Sequence, residues 1–580
     1  MKRILLWTFV AVALLITSWV RPADAKDLKQ VVTVSLSGYD SLMQGVGMVG
    51  QLAGMPGLPL LLDAQIQQAG VGEALKSLDK KKPWLLAVKI DEDGEEYAVQ
   101  AFLPTADVKK LINSLPMPVE TQDAGDGVLE LKAPDRSVFV KQHGAWAVVS
   151  DKKDSVRDAP EDPVKAAEGM HELYHLGARV SVKNIPDALR RKFLDMVAFS
   201  VQAGLQQMPG ESEEQFAARS KMLRQGVEQM KTTVNDLDAV TLGVKLDSAT
   251  SSAYLELTTT LRPDSASAKR LATAGKARTQ FAGLITPDSA VSIHAAQQLD
   301  SADIDQAKAN MASLRANALA EIEKQGLPEE QAKLAKKLAG DLMDVVAKTL
   351  DAGKVDFAAS LKLQPKVFSL VAGMQIAAGD KLESVIKQLV AEVGKDNPAA
   401  AGLIKLDAEK HGGVRFHVLS VPISMMDDAE GRKKLGALVG DNLDMVIGIS
   451  DTKLFLAMGR DAAASLKKAI DSKGPTEKPL PPAEISLALA DIFQFAASVA
   501  EESQKQNLQM VAKILQSSPG KDHVRLTASQ VPNGVQIRLT AEEGVLKAAG
   551  MAGMILGGPA MKGGPAAKAK KKASRGGDDQ

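Results

Sequence analysis

The residues whose types and spacing could carry chemistry are His171, Glu172 and His175, which form an H-E-x-x-H string. On a helix, two histidines four residues apart share one face and can bind zinc. The glutamate between them can then act as general base on a metal-bound water. A zinc site that hydrolyses peptide bonds is therefore the sharpest chemical hypothesis that the sequence offers.

The surroundings of this string favour a structural role. The pattern predicts a short helix over 162–177 that holds the string in its last turn, with a strand directly after it. The five residues resemble the motif of zinc metallopeptidases, but Ala178 and Ser181 stand where one branch of that family needs Gly and His. The glutamates at 211, 213 and 214 lie in a polar stretch beside Pro and Gly. We therefore expect an exposed helix end, where His suits the negative end of the helix dipole, and no metal or other cofactor.

Two other strings are weaker. Residues 45–50 read GVGMVG, a G-x-G-x-x-G pattern, but it begins nine residues after its strand and lacks an acidic ribose partner. We expect a flexible hydrophobic loop there. His411 and His417 flank a glycine pair at a strand start, yet two imidazoles without a third ligand do not make a zinc site.

Composition excludes several classes of protein. The chain has 71 basic and 71 acidic residues among 580, so no net charge draws it to nucleic acid. It has no cysteine, which excludes disulfides, thiol catalysis and Cys-ligated metals. With 4 Trp, 4 Tyr and 13 Phe, it has few aromatic groups for stacking on bases or sugars.

The amino-terminal segment has the pattern of a signal peptide. A basic pair, Lys2-Arg3, precedes an apolar run over 4–20, and Ala23 and Ala25 supply the small side chains that a signal peptidase requires. We expect residues 1–25 to be removed, Lys26 to become the first residue, and the protein to reach the periplasm or the exterior. The alternative is an uncleaved anchor, since the apolar run is near the lower limit for spanning a membrane.

Alternating apolar and polar residues predict many strands, and their order occurs twice. A strand at 31–36 and another at 291–295 each lead into a helix, and hairpins at 84–103 and 355–377 follow them. Both halves then continue with a meander, a strand that runs into a long helix, and a closing hairpin. Five units in one order indicate an internal duplication, whereas ordinary α+β alternation is the alternative.

We therefore predict an α+β fold of two pseudo-symmetric halves of mainly antiparallel sheet, with helices packed on one face. The first half covers 26–285 and the second covers 286–555. A helical hairpin is inserted near 303–350. The Gly-, Ala- and Lys-rich tail over 556–580 has no apolar period and is predicted to be disordered.

Two Gly- and Met-rich segments, 43–74 and 544–565, stand apart from this pattern. Methionine adapts to varied apolar partners, and glycine frees the backbone. We expect both segments to be mobile and apolar and to border one shared groove. The alternative is that both form ordinary packed helices of small residues.

The second half opens with LITPDSAVS over 284–292. With this opening, the export signal and the duplication, the chain resembles the secreted α+β proteins of planctomycete-type bacteria, which bring no known activity. We expect an exported, non-catalytic binding or structural protein that contacts an apolar ligand or a cell-envelope component, without nucleic acid. The alternative is a zinc-dependent metallopeptidase that uses His171, Glu172 and His175.

Amino-terminal sequencing of the exported protein tests the predicted processing. The expected first residue is Lys26, because Ala23 and Ala25 occupy the two positions where the peptidase pocket admits only small side chains. A sequence that starts at Met1 would contradict this expectation and favour the uncleaved anchor.

Overall fold

The computed structural model describes residues 28–557 apart from 117–118, 134–135, 161, 276, 366, 426–427 and 473–479. The predicted signal peptide over 1–25, with Ala23, Ala25 and Lys26, lies outside the described residues. So does the predicted tail from residue 558 onward.

The described residues form the α+β fold with antiparallel sheet that the sequence predicted, and their twenty strands join one sheet. The strands are β1 (Lys29–Leu36), β2 (Trp84–Ile90), β3 (Tyr97–Pro104), β4 (Glu120–Gly125), β5 (Val128–Ala133), β6 (Arg136–His143), β7 (Trp146–Ser150), β8 (Leu176–Val180), β9 (Leu237–Asp247), β10 (Ser252–Leu261), β11 (Val291–Gln298), β12 (Lys354–Gln364), β13 (Val367–Gln375), β14 (Ile404–His411), β15 (Val414–Pro422), β16 (Asn442–Ile449), β17 (Lys453–Gly459), β18 (Ala483–Ala488), β19 (His523–Val531) and β20 (Gly534–Ala541).

The helices of the described residues connect these strands. They are α1 (Tyr39–Leu52), α2 (Leu58–Gln68), α3 (Gly72–Lys76), α4 (Val108–Asn113), α5 (Lys153–Arg157), α6 (Met170–Leu173), α7 (Asp187–Ala203), α8 (Glu213–Asp236), α9 (Ala266–Ala274), α10 (Ser301–Lys324), α11 (Glu329–Asp351), α12 (Gly379–Asp396), α13 (Pro398–Gly402), α14 (Ala429–Val439), α15 (Ala462–Asp471), α16 (Leu489–Val499), α17 (Glu502–Gln516) and α18 (Glu543–Gly557). None of these helices is both long enough and apolar enough to cross a membrane.

Local sequence explains where the long helices begin. The Ser212 side chain accepts the Gln215 N–H while Gln215 caps in return, and Asp300 and Asp303 make the same reciprocal cap before α10. Pro328 directly precedes α11, because proline is tolerated before the first turn of a helix but not in its interior. These residues determine where α8, α10 and α11 begin, and these helices belong to the two long helical hairpins, α7–α8 and α10–α11.

Hydrogen bonding arranges the strands in two sets of ten with the same order. The first set runs β4-β5-β6-β7-β3-β2-β1-β8-β9-β10. The second set runs β14-β15-β16-β17-β13-β12-β11-β18-β19-β20, so each strand has a counterpart ten places later in the chain. β10 and β20 are the last strands of their sets, and they pair with each other.

The β10–β20 pairing, which we name the seam, makes one sheet of the two sets. Residues 253–260 of β10 pair with residues 534–541 of β20 in unbroken antiparallel register. Glu256 lies directly opposite Arg538 and is 2% exposed. The Arg538 guanidinium contacts Glu256 Oε2 through Nη2 at 2.5 Å and through Nε at 2.6 Å, and Gln536 Nε2 donates to Glu256 Oε1 at 2.8 Å. The Tyr174 hydroxyl completes this set of donors.

Two of the hydrophobic cores lie at the outer part of the first set of strands. One core packs Leu85, Phe102 and Val148 with the turn at 163–167, on one side of the first ten strands. Another packs Ala147 and its neighbours against α4. Because 147 and 148 alternate across β7, both faces of these outer strands bury apolar side chains.

Replacing Glu256 with Gln tests the seam. The variant removes the negative charge opposite the Arg538 guanidinium, and loss of one partner of a buried pair costs about 2–4 kcal/mol of unfolding free energy. Urea denaturation measures this change. The matched control is Glu502→Gln, since Glu502 is 86% exposed and its pair with Lys505 is worth at most about 1 kcal/mol. Equal effects of the two substitutions would contradict a structural role for the seam carboxylate.

Candidate functional site

The H-E-x-x-H string does not lie on one helix. Residues 163–167 form a 3-10 turn, Glu168 and Gly169 both adopt left-handed backbone, and α6 contains only residues 170–173. Tyr174 is already extended, with φ −128° and ψ 147°. The helix predicted over 162–177 is therefore wrong, because the left-handed pair interrupts it, and His171 and His175 do not share a helix face.

His175 directly precedes strand β8 and is 6% exposed. Its N–H donates to the Val244 carbonyl at 2.9 Å, and its carbonyl accepts from Ser37. Its Nδ1 accepts the Leu246 N–H at 3.0 Å, so the neutral ring carries its proton on Nε2. Burial lowers the pKa of His175, which keeps the ring neutral. An imidazole that accepts at Nδ1 and is protonated at Nε2 has no free lone pair for zinc.

Another group of possible metal ligands contains His417, for which the sequence indicated no carboxylate partners. Among the described residues, ligand atoms of Glu383, Asp407 and His417 lie within 4.8 Å of one another. Glu383 comes from α12, His417 from β15, and Asp407 from a bulge of β14 at φ +51°. The bulge brings Asp407 to this group, and no spacing in the sequence predicts that contact.

Lysine and arginine side chains already form ion pairs with these carboxylates. Lys387 Nζ lies 2.8 Å from Glu383 and 2.7 Å from Asp407, and Arg415 bonds Glu383 at 2.5 Å and Asp380 at 2.7 Å. These hydrogen bonds hold the pKa of Asp407 below its usual range, chiefly through Lys387. The group is therefore an ion-pair network.

His417 is bonded in the same way as His175. Its Nδ1 accepts the Asp407 N–H at 3.1 Å, so its proton is on Nε2, which faces Glu383 at 3.6 Å. Metal-binding histidines instead donate their second N–H to a neighbour. His411 bonds Asp471 instead, at 2.8 Å, and does not pair with His417.

The most extended unusual feature is an apolar patch in the middle of the sheet, which we name the central apolar face. It lies on the five adjacent strands β9, β10, β20, β19 and β18. Its seven members are each between 38% and 45% exposed. They are Leu242, Leu255, Leu257, Ile485, Leu526, Ile537 and Leu539.

Strand register shows that the central apolar face is continuous. Leu242 pairs with Leu257, which pairs with Ile537 across the seam. Leu255 pairs with Leu539 in the neighbouring row, and that row continues through Leu526 to Ile485. Directly paired residues point to the same side of a sheet. The seven side chains therefore form one aliphatic surface, on the side of the sheet opposite Glu256.

Residues 43–74 and 544–557, the described parts of the two Gly- and Met-rich segments, are mostly helical and contact each other. Gly45 and Gly50 lie inside α1, so the flexible loop predicted at 45–50 is wrong. A Cβ at Gly45 would come within 2.8 Å of the Leu246 side chain, so glycine permits this helix to approach β9. A Cβ at Gly550 of α18 would lie even closer, 2.2 Å from the Ala53 Cβ. The packed-helix alternative describes these segments, and they meet beside strands β9 and β10.

A second exposed apolar stripe lies on α7. Phe193, Met196 and Phe199 are 49%, 59% and 74% exposed, whereas Leu194 on the opposite side is buried. α7 packs against α8, and six residues separate the end of β8 from the start of α7. This stripe therefore lies on a hairpin that connects two strands of the sheet centre.

No protein-family model, curated protein or solved structure matches this chain. The resemblance to secreted planctomycete-type proteins therefore stays a sequence-based hypothesis.

The two buried histidines generate a pH dependence of stability. Burial lowers the pKa of His175 and of His417. The charged groups near His175 are Lys245 and Asp247. Those near His417 are Glu383, Asp407, Lys387 and Arg415. A lowered folded-state pKa means that the unfolded chain binds these protons first as pH falls. The stabilisation is thus complete above about pH 6.5, the ordinary histidine value, and is lost progressively below it.

We expect the unfolding free energy to fall between pH 7 and pH 5 and to fall less steeply in His175→Gln/His417→Gln. Urea denaturation at each pH measures the slope. His411→Gln is the control, because its ring contacts the exposed Asp471. An unchanged slope in the double variant would show that these two rings do not control the acid response.

Proposed function

We propose that this protein is an exported, non-catalytic binding protein that holds an apolar ligand on the central apolar face. The observation that carries this proposal is the continuity of seven exposed aliphatic side chains over five adjacent strands. Single exposed leucines are normal, whereas contiguous patches mark interaction sites.

The dimensions of the face support a ligand with an extended apolar part. Five strands at a spacing of about 4.8 Å give a width of roughly 20 Å. Complete burial of one leucine side chain is worth about 1.5–3 kcal/mol. Covering the exposed two-fifths of seven such side chains therefore contributes roughly 5 kcal/mol, which is enough to favour an occupant strongly.

The chemistry of the face supports an aliphatic occupant. The seven members are leucine and isoleucine, with no charged or aromatic side chain among them. Their direct neighbours in register include Ala528, Val244 and Ala178. A surface without charges or aromatic rings offers neither ion pairs nor stacking. We infer a long hydrocarbon chain, such as an acyl chain of a cell-envelope lipid.

The zinc-dependent peptidase remains the alternative from the sequence, and the geometry of His171 and His175 does not favour it. Elemental analysis separates the two functions, with no stoichiometric zinc expected. One zinc per chain that is lost in His175→Ala would favour the peptidase.

Uptake of Nile red by the mature protein tests the binding function. We expect saturable fluorescence enhancement, and we expect Leu255→Gln/Leu539→Gln to weaken it about tenfold, since two polar amides then replace the leucine pair of the face at the seam.

The matched control is Leu314→Gln on α10, where the leucine is 55% exposed and lies outside the face. Circular dichroism verifies that all variants are folded. Absence of uptake, or an equal loss in the control, would remove the support for this function.

A further inference from the structure

A stretch of chain with almost no charge packs on the sheet beside the central apolar face. Between residues 41 and 72 the single charged residue is Asp63, although 24% of the whole chain is charged. This stretch forms α1 and α2, and a Cβ at Gly45 of α1 would lie 2.8 Å from the Leu246 side chain. Leu246 and Leu242 point to the same side of β9, because they are four residues apart. α1 therefore packs on the side of the sheet that carries the central apolar face.

The outer side of α2 is apolar and uncharged. Leu60 and Leu61 are 73% and 59% exposed, and no exposed residue over 51–70 carries a charge. The carboxylate of Asp63 is half-buried and accepts the Tyr39 hydroxyl of α1. The side of a surface helix that faces water is normally charged or polar, so two adjacent exposed leucines there are unusual. We name the exposed residues of 51–70 the α2 surface.

The carboxyl-terminal helix packs next to the α2 surface. The close approach of Gly550 to Ala53 places α18 directly on the turn between α1 and α2. From Ala548 to Met561 the sequence has no charged residue. Gly557, the last residue of α18, is seven residues beyond Gly550, which is about 10 Å along a helix. The chain that follows α18 therefore starts close to α2.

Positive charge lies next to the α2 surface in two places. The sequence over 558–580 contains six basic and two acidic residues, a side-chain net charge of +4. Three consecutive lysines at 80–82 follow Asp79 in the turn before β2. Lys80 Nζ lies 5.0 Å from the centre of the Tyr39 ring, and the hydroxyl of that ring bonds α2. Both groups of cations thus adjoin the exposed leucines.

The stripe on α7 lacks this combination. Phe199 and Met196 are as exposed as the two leucines of α2, at 74% and 59%. Residues 187–236, which contain α7 and α8, carry seven basic and seven acidic residues and therefore no net charge. Exposed apolar side chains and an excess of cations occur together at the α2 surface, whereas the α7–α8 hairpin has only the apolar side chains.

We propose that the α2 surface docks on an anionic lipid bilayer, with Leu60 and Leu61 inserted among the headgroups and the lysines beside it bound to anionic lipid. A bilayer offers hydrocarbon beneath a layer of negative charge, and this surface is complementary to both. Apolar insertion and a polybasic segment each bind a membrane weakly, and together they hold a protein there. The inference goes beyond the proposed function and does not need it, because α2 carries none of the seven residues of the central apolar face.

Co-sedimentation of the mature protein with vesicles tests the inference. One set of vesicles contains equal parts of phosphatidylcholine and phosphatidylglycerol, and the other contains phosphatidylcholine alone. At low ionic strength we expect the protein to bind the anionic vesicles at least tenfold more tightly, because the neutral vesicles attract no cations. Leu60→Gln/Leu61→Gln and Lys570→Gln/Lys571→Gln/Lys572→Gln should each weaken binding to the anionic vesicles about tenfold.

Two variants serve as matched controls. Met196→Gln/Phe199→Gln removes two apolar side chains of the same exposure from α7. Lys333→Gln/Lys336→Gln/Lys337→Gln removes three positive charges from α11. Both controls should bind the anionic vesicles as the unsubstituted protein does, and circular dichroism verifies that every variant is folded. Leu60→Gln/Leu61→Gln should also keep its uptake of Nile red.

The vesicle comparison decides the matter in the unsubstituted protein, even if a variant fails to fold. Equal binding to both kinds of vesicle, or binding to neither, would overturn the inference and leave the proposed function intact. Equal losses in the controls and in the test variants would overturn it as well. Loss of sedimentation in Leu255→Gln/Leu539→Gln, with none in Leu60→Gln/Leu61→Gln, would show that the central apolar face holds the bilayer lipid and would contradict docking through α2.

Discussion

The pairing of β10 with β20 is the constraint on which the rest of the sheet depends. Each set of ten strands ends with one of these strands, and without the seam each would leave a long edge with unpaired backbone groups. Glu256 fixes the register, because its carboxylate binds Arg538 and Gln536 from the other set and Tyr174 from its own. A shift by one residue would turn these groups to the opposite side.

The same register explains the central apolar face. Alternation along β10 places Glu256 on one side of the sheet and Leu255 and Leu257 on the other. The charged side is filled by Tyr174, which packs directly over Gly243. The aliphatic side keeps about two-fifths of each large side chain exposed. One strand thus supplies both the bond between the two sets and the surface for which we propose a ligand.

Some elements could not be predicted correctly from the sequence, and the reasons are physical. The edge strands β4 and β14 read ETQDAG and IKLDAEKH, and most of their residues are exposed. Edge strands carry polar side chains that prevent further pairing, and β4 therefore lacks the alternation by which strands are recognised, whereas β14 keeps it over its first six residues. Glycines in α1 suggested a loop because close packing against β9 cannot be read from a single segment.

The sequence by itself determined the α+β class, the period of the strands, the long helical hairpins and the repeated order of units, because these follow from local alternation and capping. Tertiary structure alone decided which strands meet at the seam and which apolar side chains stay uncovered. It also decided the hydrogen bonding of the histidines, since the backbone N–H groups of Leu246 and Asp407 donate to the Nδ1 atoms of His175 and His417. Those donors come from other strands or from a bulge, and spacing along the chain carries no information about them.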